Sequence, residues 1–157
     1  MIKNLKIKKV LECEIDNELT ENIQELLTVS FQDIYPNNRI YFKQVPHFRI
    51  LAFNEEKHLL AQVGLDFRVM NLSGKLIKVL GIIDLCVSRE SRTKGIASLL
   101  LSEIDKYCVK KDIDFLLLFA DNKTLYLTKG YKSVKNKCKC LKIEDRNHTI
   151  HGIGYEE

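Results

Sequence analysis

The chain has 157 residues, of which 45% are hydrophobic and 29% charged, and it carries a net charge of +4. That is the size and composition of one globular domain, residues 1–157, with a core of its own. Its basic excess is mild, with neither a Lys/Arg block nor the aromatic-basic interleaving of a nucleic-acid reader, so no nucleic-acid partner is expected. Residues Met1 to Lys6 lack the apolar run and small-residue cleavage site of a signal peptide. No stretch approaches a membrane span, so a cytoplasmic protein without a membrane partner is expected. The five cysteines (Cys13, Cys86, Cys108, Cys138 and Cys140) are odd in number and form no Cys-x-x-Cys pair. They read as reduced thiols rather than as a disulfide framework or a metal site.

Leu5 to Glu14 reads as a first strand. Asn17 can cap a helix from Glu18 to Ser30, with Leu19, Ile23, Leu26 and Leu27 on one apolar stripe. Tyr35-Pro36-Asn37-Asn38 ends that helix with turn residues, Arg39 to Val45 is a loop or short helix, and Phe48 to Phe53 is a second strand. Leu60 to Met70 alternates cleanly. Ala61, Val63, Leu65, Phe67 and Val69 share one side, and Gln62, Gly64, Asp66 and Arg68 the other, as in a half-exposed antiparallel strand that leaves Asp66 and Arg68 in solvent. A hairpin turn at Asn71 to Gly74 leads into a strand from Leu76 to Val87. A helix from Gly95 to Lys110 places Ile96, Leu100, Ile104 and Cys108 at four-residue spacing. The unbroken apolar run Phe115 to Phe119 reads as a central strand covered on both faces, which makes a right-handed parallel βαβ unit with the strand before the helix. Asn122 to Lys129 is a short helix stopped by Gly130, and Tyr131 to Val134 and Cys138 to Ile143 are final strands. The expected class is α/β, a mixed and mostly antiparallel sheet with one parallel βαβ unit.

The densest functional signal lies between the strand ending at Val87 and the helix that follows. Val87-Ser-Arg-Glu-Ser-Arg92-Thr93-Lys94-Gly95-Ile96-Ala97 is a basic, glycine-bearing turn that opens directly into a helix. The first amides of a helix have no intrahelical partner and carry the positive end of its dipole, so they form a site for phosphate. Gly95 allows close backbone approach, Ala97 is small, and Arg92 and Lys94 add positive charge. The pattern is neither a Walker loop nor Gly-x-Gly-x-x-Gly.

Arg92-x-x-Gly95-x-Ala97 resembles the acyl-CoA-binding motif of the GNAT superfamily of N-acyltransferases, Arg/Gln-x-x-Gly-x-Gly/Ala. Val87 stands where the family's strand-ending valine does, and Leu99, Leu100 and Leu101 follow as expected. A second element, Tyr126-x-x-x-Gly130-Tyr131, resembles the family's Tyr-x-x-x-Gly-Phe/Tyr/Trp, so the resemblance spans Leu60 to Val134. Within the superfamily, Val79 to Val87 and Leu118 to Tyr126 look most like the branch holding aminoglycoside 2'-N-acetyltransferases and the nodulation acyltransferase. The departures are Ser91, where a bulky residue is usual, and Thr93, where glycine is usual.

The resemblance implies that the strand ending in Val87 splays from the strand Phe115 to Phe119, with the cofactor's arm beside it. It also implies acetyl-CoA as co-substrate and no metal. The cofactor would be held by the main chain of Leu85, Cys86 and Val87 and by the turn Arg92, Thr93, Lys94, Gly95, Ile96 and Ala97. The backbone amides would polarise the thioester. Tyr126 would protonate the departing thiolate, for which a phenol is suited because it keeps its proton at neutral pH. Packing as a core tyrosine is the structural alternative.

Asp84 is the single acid in an apolar strand segment, so it is a candidate general base or a structural acid. Period-two counting puts it on the face opposite Leu85 and Val87, unless a bulge intervenes. His47 is a second candidate base or a surface histidine, and at this point the choice between them stays open. The implied reaction is transfer of an acetyl group to a primary amine of a small molecule. The alternatives are a protein N-acetyltransferase acting on a terminal or lysine amine, or a non-catalytic acyl-CoA-binding domain. A homodimer is left open.

Overall fold

A computed structural model describes residues 4–32, 35, 39–41, 44–135, 138–143 and 150–156, with the last two segments described as backbone only. The strands are β1 (Lys6–Leu11), β2 (Phe48–Phe53), β3 (Leu59–Leu72), β4 (Lys75–Val87), β5 (Phe115–Leu117), β6 (Cys138–Ile143) and β7 (Ile150–Glu156). The helices are α1 (Asn17–Phe31), α2 (Ile96–Lys111) and α3 (Thr124–Thr128). β1 to β5 form a five-stranded sheet in sequential order, antiparallel except for the parallel pair β4–β5. The class is therefore the mixed α/β sheet expected, with its βαβ unit in place. β6 and β7 pair with each other in a separate two-stranded sheet. The tail that sequence patterning left unassigned thus contains a strand, whereas Tyr131 to Val134 does not form the one expected there.

The alternation of the strands divides the apolar side chains between two layers. Ile50, Ala52, Ala61, Val63, Leu65, Leu80 and Ile82 pack on α2 through Ile96, Leu100, Leu101, Ile104 and Cys108. On the other face, Leu51 and Cys86 pack on α1 through Ile23, Leu26 and Leu27. α1 is capped one residue earlier than expected. Asp16, not Asn17, accepts from the Leu19 amide at 2.8 Å, and Asn17 is the first helical residue. At the other end of β3, the turn residues Ser73 and Gly74 both take positive φ (51° and 90°), the backbone of a tight two-residue hairpin.

Two strand expectations are corrected. β3 is not half-exposed along its length. Residues 61–66 are buried on both faces and the far end, from Phe67 on, is open, because α1 and the chain leading into β2 cover only the first half. Gln62 and Asp66 are therefore buried rather than solvated, and Asp66 is held by Gln44, Arg68 and His47. β5 is not central. It lies at the edge of the five-stranded sheet with Phe115 exposed, and Leu116 and Leu118 pack half-buried against the α2-side core. Among the described residues, no helix is long and apolar enough to cross a membrane, and no cluster of side chains could hold a metal ion.

Candidate active site

The parallel pairing of β4 with β5 stops early. Val79, Leu80 and Gly81 pair with Phe115, Leu116 and Leu117, and there it ends. From Ile82 to Val87, β4 keeps β3 on one side and has no hydrogen-bonded strand on the other among the described residues. The implied splay is thus present, with an open main-chain edge along Ile82 to Val87.

That edge runs into the turn before α2. Gly95 is the N-cap of α2, with φ +83°, and no side chain caps the helix. The amides of the first turn are left to a ligand or to water. A Cβ added at Gly95 would meet nothing within 4 Å, so the approach is open. Arg92, Thr93 and Lys94 are exposed, Ile96 is buried against the sheet, and Ala97 is partly covered. Arg92 Nε donates to the Val87 carbonyl at 3.2 Å, which ties the turn to the end of β4. Thr93, at the position where the family motif has glycine, takes φ +61°. A β-branched residue is disfavoured there, so the substitution leaves strain in the turn. Beside the turn, a cleft of about 400 Å³ is lined by Val29, Ser30, Phe31, Gln32, Arg89 and Arg92.

β4 contains a bulge. Gln62 pairs with Cys86 and Gly64 with Ile83, so Asp84 and Leu85 together stand opposite Val63. Asp84 takes φ +54°, the left-handed conformation usual for glycine in such bulges and tolerated by aspartate. The extra residue reverses the facing of the strand. Leu80 and Ile82 before it and Leu85 and Val87 after it all meet the α2 layer, while Cys86 meets the α1 layer. Asp84 meets that layer too, through Tyr35. Asp84 therefore lies opposite Leu85 and Val87 as counted, but only because of the bulge does Ile82 not share its face.

Around Asp84 the structure assembles groups that sequence reading did not single out. The buried Tyr35 donates its hydroxyl to Asp84 Oδ2. Burial raises the Asp84 carboxyl above its ordinary value, against the opposing pull of the Tyr35 hydrogen bond and of Arg49. Burial, then the Asp84 charge, raises the Tyr35 phenol. Arg49 is fully buried. It donates to Glu12 through Nε and Nη2 at 2.8 Å each, to Gln62 Oε1 at 2.7 Å and to the Ile40 carbonyl at 2.6 Å. Gln62 in turn donates to the Asp84 carbonyl and stands 3.7 Å from Cys86 Sγ. Burial pushes the Cys86 thiol up to about 11, so it is protonated and inert, and only its main chain is available.

Tyr126 lies on the other layer. It is half-buried against the α2 core, with its ring 5.7 Å from that of Tyr131 in an edge-on arrangement. α3 closes with the Tyr131 amide donating to the Tyr126 carbonyl and the Gly130 amide to Leu127, with Gly130 at φ +86°. This is a Schellman stop, and it explains why glycine stands four residues after the tyrosine. Burial raises the Tyr126 phenol, which keeps its proton. No hydrogen bond joins Tyr126 to Asp84; Tyr126 packs on the α2 side of the sheet and Asp84 meets Tyr35 on the α1 side. His47, with its side chain 55% exposed, stands apart, its Nδ1 2.9 Å from Asp66 Oδ1 and within 3.2 Å of the Phe67 amide. Asp66 pairs with Gly81, where β4 and β5 are still joined.

The family model of the acetyltransferase (GNAT) domain matches residues 14–134. No curated protein matches the sequence. Solved structures share the fold at low identity. Glucosamine-6-phosphate N-acetyltransferase from Arabidopsis thaliana aligns with TM-score 0.64 and 14% identity over 87% of this chain and 97% of its own. An acetyltransferase of Trypanosoma brucei gives 0.63 and 14% over 87% and 99%. An aminoglycoside acetyltransferase from an uncultured soil metagenomic sample gives 0.61 and 19% over 90% and 100%.

Proposed function

Because the chain belongs to the GNAT acetyltransferase family, we propose that it moves an acetyl group from acetyl-CoA to the primary amine of a small molecule in the cytoplasm. The observation that carries the proposal is the continuity of two open main-chain surfaces. The unpaired edge of β4 from Ile82 to Val87 leads, through a turn tied by Arg92, into the uncapped start of α2. One extended ligand with a phosphate-bearing end and an amide-bearing arm fits such a path. The amides of Ile96 and Ala97, with Arg92 and Lys94, would hold the phosphates, and the main chain of Leu85, Cys86 and Val87 would hold the arm. Bound acetyl-CoA supplies a thioester carbonyl as acyl donor and a thiol as leaving group.

The chain's own groups then have distinct tasks. Asp84, its proton affinity raised by burial, takes the proton of the incoming ammonium and leaves a neutral amine. Amides along the open β4 edge would stabilise negative charge on the carbonyl oxygen as the C–N bond forms. As the C–S bond breaks, Tyr126 would give its proton to the sulfur, and the second proton of the acylated nitrogen would pass through water to the tyrosinate, restoring the phenol. Asp84 suits the base role better than His47, since it lies on the unpaired stretch of β4, whereas the His47–Asp66 pair sits at a rung where the sheet is closed.

Release of free CoA from acetyl-CoA, followed against a panel of small amines and amine-bearing peptides, tests the proposal. Release with a small amine is expected. Release with peptides alone would point to a protein acetyltransferase, and tight acetyl-CoA binding without release to any amine would point to a non-catalytic binding domain.

A further inference from the structure

The bulge in β4 is held from outside the strand. An extra residue in a ladder leaves backbone groups without their regular partners, and here the freed group is the Asp84 carbonyl. It accepts from the side-chain amide of Gln62. Gln62 is fully buried, and its other amide atom, Oε1, accepts from Arg49. Arg49 is fully buried too and is gripped by both carboxylate oxygens of Glu12. The result is a chain of charge-assisted and neutral hydrogen bonds running from the end of β1 through β2 and β3 to the bulge, with one residue from each segment. A side-chain amide fixed at both ends has little freedom to turn, and each of its donors and acceptors is costly to leave unmet at this depth.

The orientation of the strand after the bulge depends on that grip. Were β4 to pair regularly, Asp84 would take the facing of Ile82 and point into the α2 layer, and the main chain of Leu85 to Val87 would shift by one position. We infer that Gln62, held by Arg49 and Glu12, is a positioning residue that fixes the β4 bulge and so aims both the Asp84 carboxylate and the Leu85–Val87 main chain. The inference rests on the proposed acetyl transfer for its catalytic consequence, but not for the grip itself.

Gln62→Glu keeps the volume and the Arg49 contact and removes the donor to the Asp84 carbonyl. The single-turnover rate per folded molecule should fall about tenfold to a hundredfold. Acetyl-CoA affinity measured by calorimetry should fall by less than the rate does, because the phosphates stay on the untouched α2 turn and only the Leu85–Val87 main chain beside the arm moves. The backbone amide resonances of Leu85 and Cys86 should move and their hydrogen exchange quicken. Glu12→Gln, which loosens the far end of the chain and leaves Gln62 in place, should shift the same resonances less; it carries the test should Gln62→Glu fail to fold. Unmoved Leu85 and Cys86 amides, or a rate loss matched by an equal loss of acetyl-CoA affinity, would overturn the inference. The amide readout needs no acceptor, so a wild-type protein that acetylates nothing would remove the proposed function while still deciding whether Gln62 holds the bulge.

Discussion

The turn before α2 and the bulge in β4 lie at two ends of one path, yet they are built by opposite means. The turn is local, exposed and made of main chain. Its parts stand within a few residues of one another, and its chemistry comes from unpaired amides that any sequence with glycine at position 95 could offer. The bulge is long-range, buried and made of side chains. Glu12, Tyr35, Arg49 and Gln62 converge on it from four separate segments. A site for a common ligand can be a backbone shape, whereas a site that must discharge one chosen amine needs particular side chains held at particular angles.

Substitutions can sharpen that contrast. The largest effect is expected at Tyr126, which local chain geometry presents much as it does the turn. Tyr126→Phe keeps the ring and its packing on Tyr131, so folding and acetyl-CoA affinity should hold while the single-turnover rate drops about a hundredfold. A wild-type rate would make Tyr126 a packing residue and leave thiolate protonation to water.

Asp84→Asn comes next. Asparagine tolerates the positive φ of the bulge, so backbone strain does not confound the result. The rate near neutral pH should fall about tenfold or more, with cofactor affinity kept. Stability should move the other way. Burial raises the Asp84 carboxyl in the folded state, so its stabilising contribution is full below the ordinary carboxylate value and is lost as pH rises through the raised one. The Asn variant escapes that loss, so its Tm relative to the wild type should rise as pH increases from the ordinary carboxylate value through the raised one. An unchanged rate would make Asp84 a structural acid that serves to receive the Tyr35 hydroxyl.

The smallest effect is expected at Thr93. Thr93→Gly relieves the positive-φ strain in the turn but adds freedom to the unfolded chain, so stability should change by about 1 kcal/mol or less. Acetyl-CoA affinity should rise by no more than a few-fold. A large loss of affinity would mean that the Thr93 side chain itself contacts the ligand.

The same contrast decides what could be read in the sequence. The turn and the Tyr126–Gly130 stop are runs of adjacent residues whose types are dictated by a backbone conformation, so both stood out. The βαβ unit followed from periodicity. Asp84 was visible as one acid in an apolar strand, but its facing depends on a bulge that has no local sequence mark other than the aspartate itself. Arg49 in Phe-Arg-Ile-Leu-Ala-Phe and Gln62 on the polar side of an alternating strand are signals of the same kind. Each is a polar residue where the second face turns out to be covered, and that cover comes from α1 and Ile40, distant in the chain. The edge position of β5 was hidden for a related reason: an apolar run records that it is partly covered, not by what.

Calorimetric titration of acetyl-CoA into the wild type and into Gly95→Asp tests the central claim most directly. Aspartate can adopt the positive φ of Gly95, and nothing lies within 4 Å of its Cβ, so the variant should fold. Its carboxylate would stand where the phosphates are expected. One-to-one binding to the wild type and a loss of about a hundredfold or more in the variant is the predicted result. Equal affinity in the two folded proteins would contradict the placement of the cofactor at the start of α2.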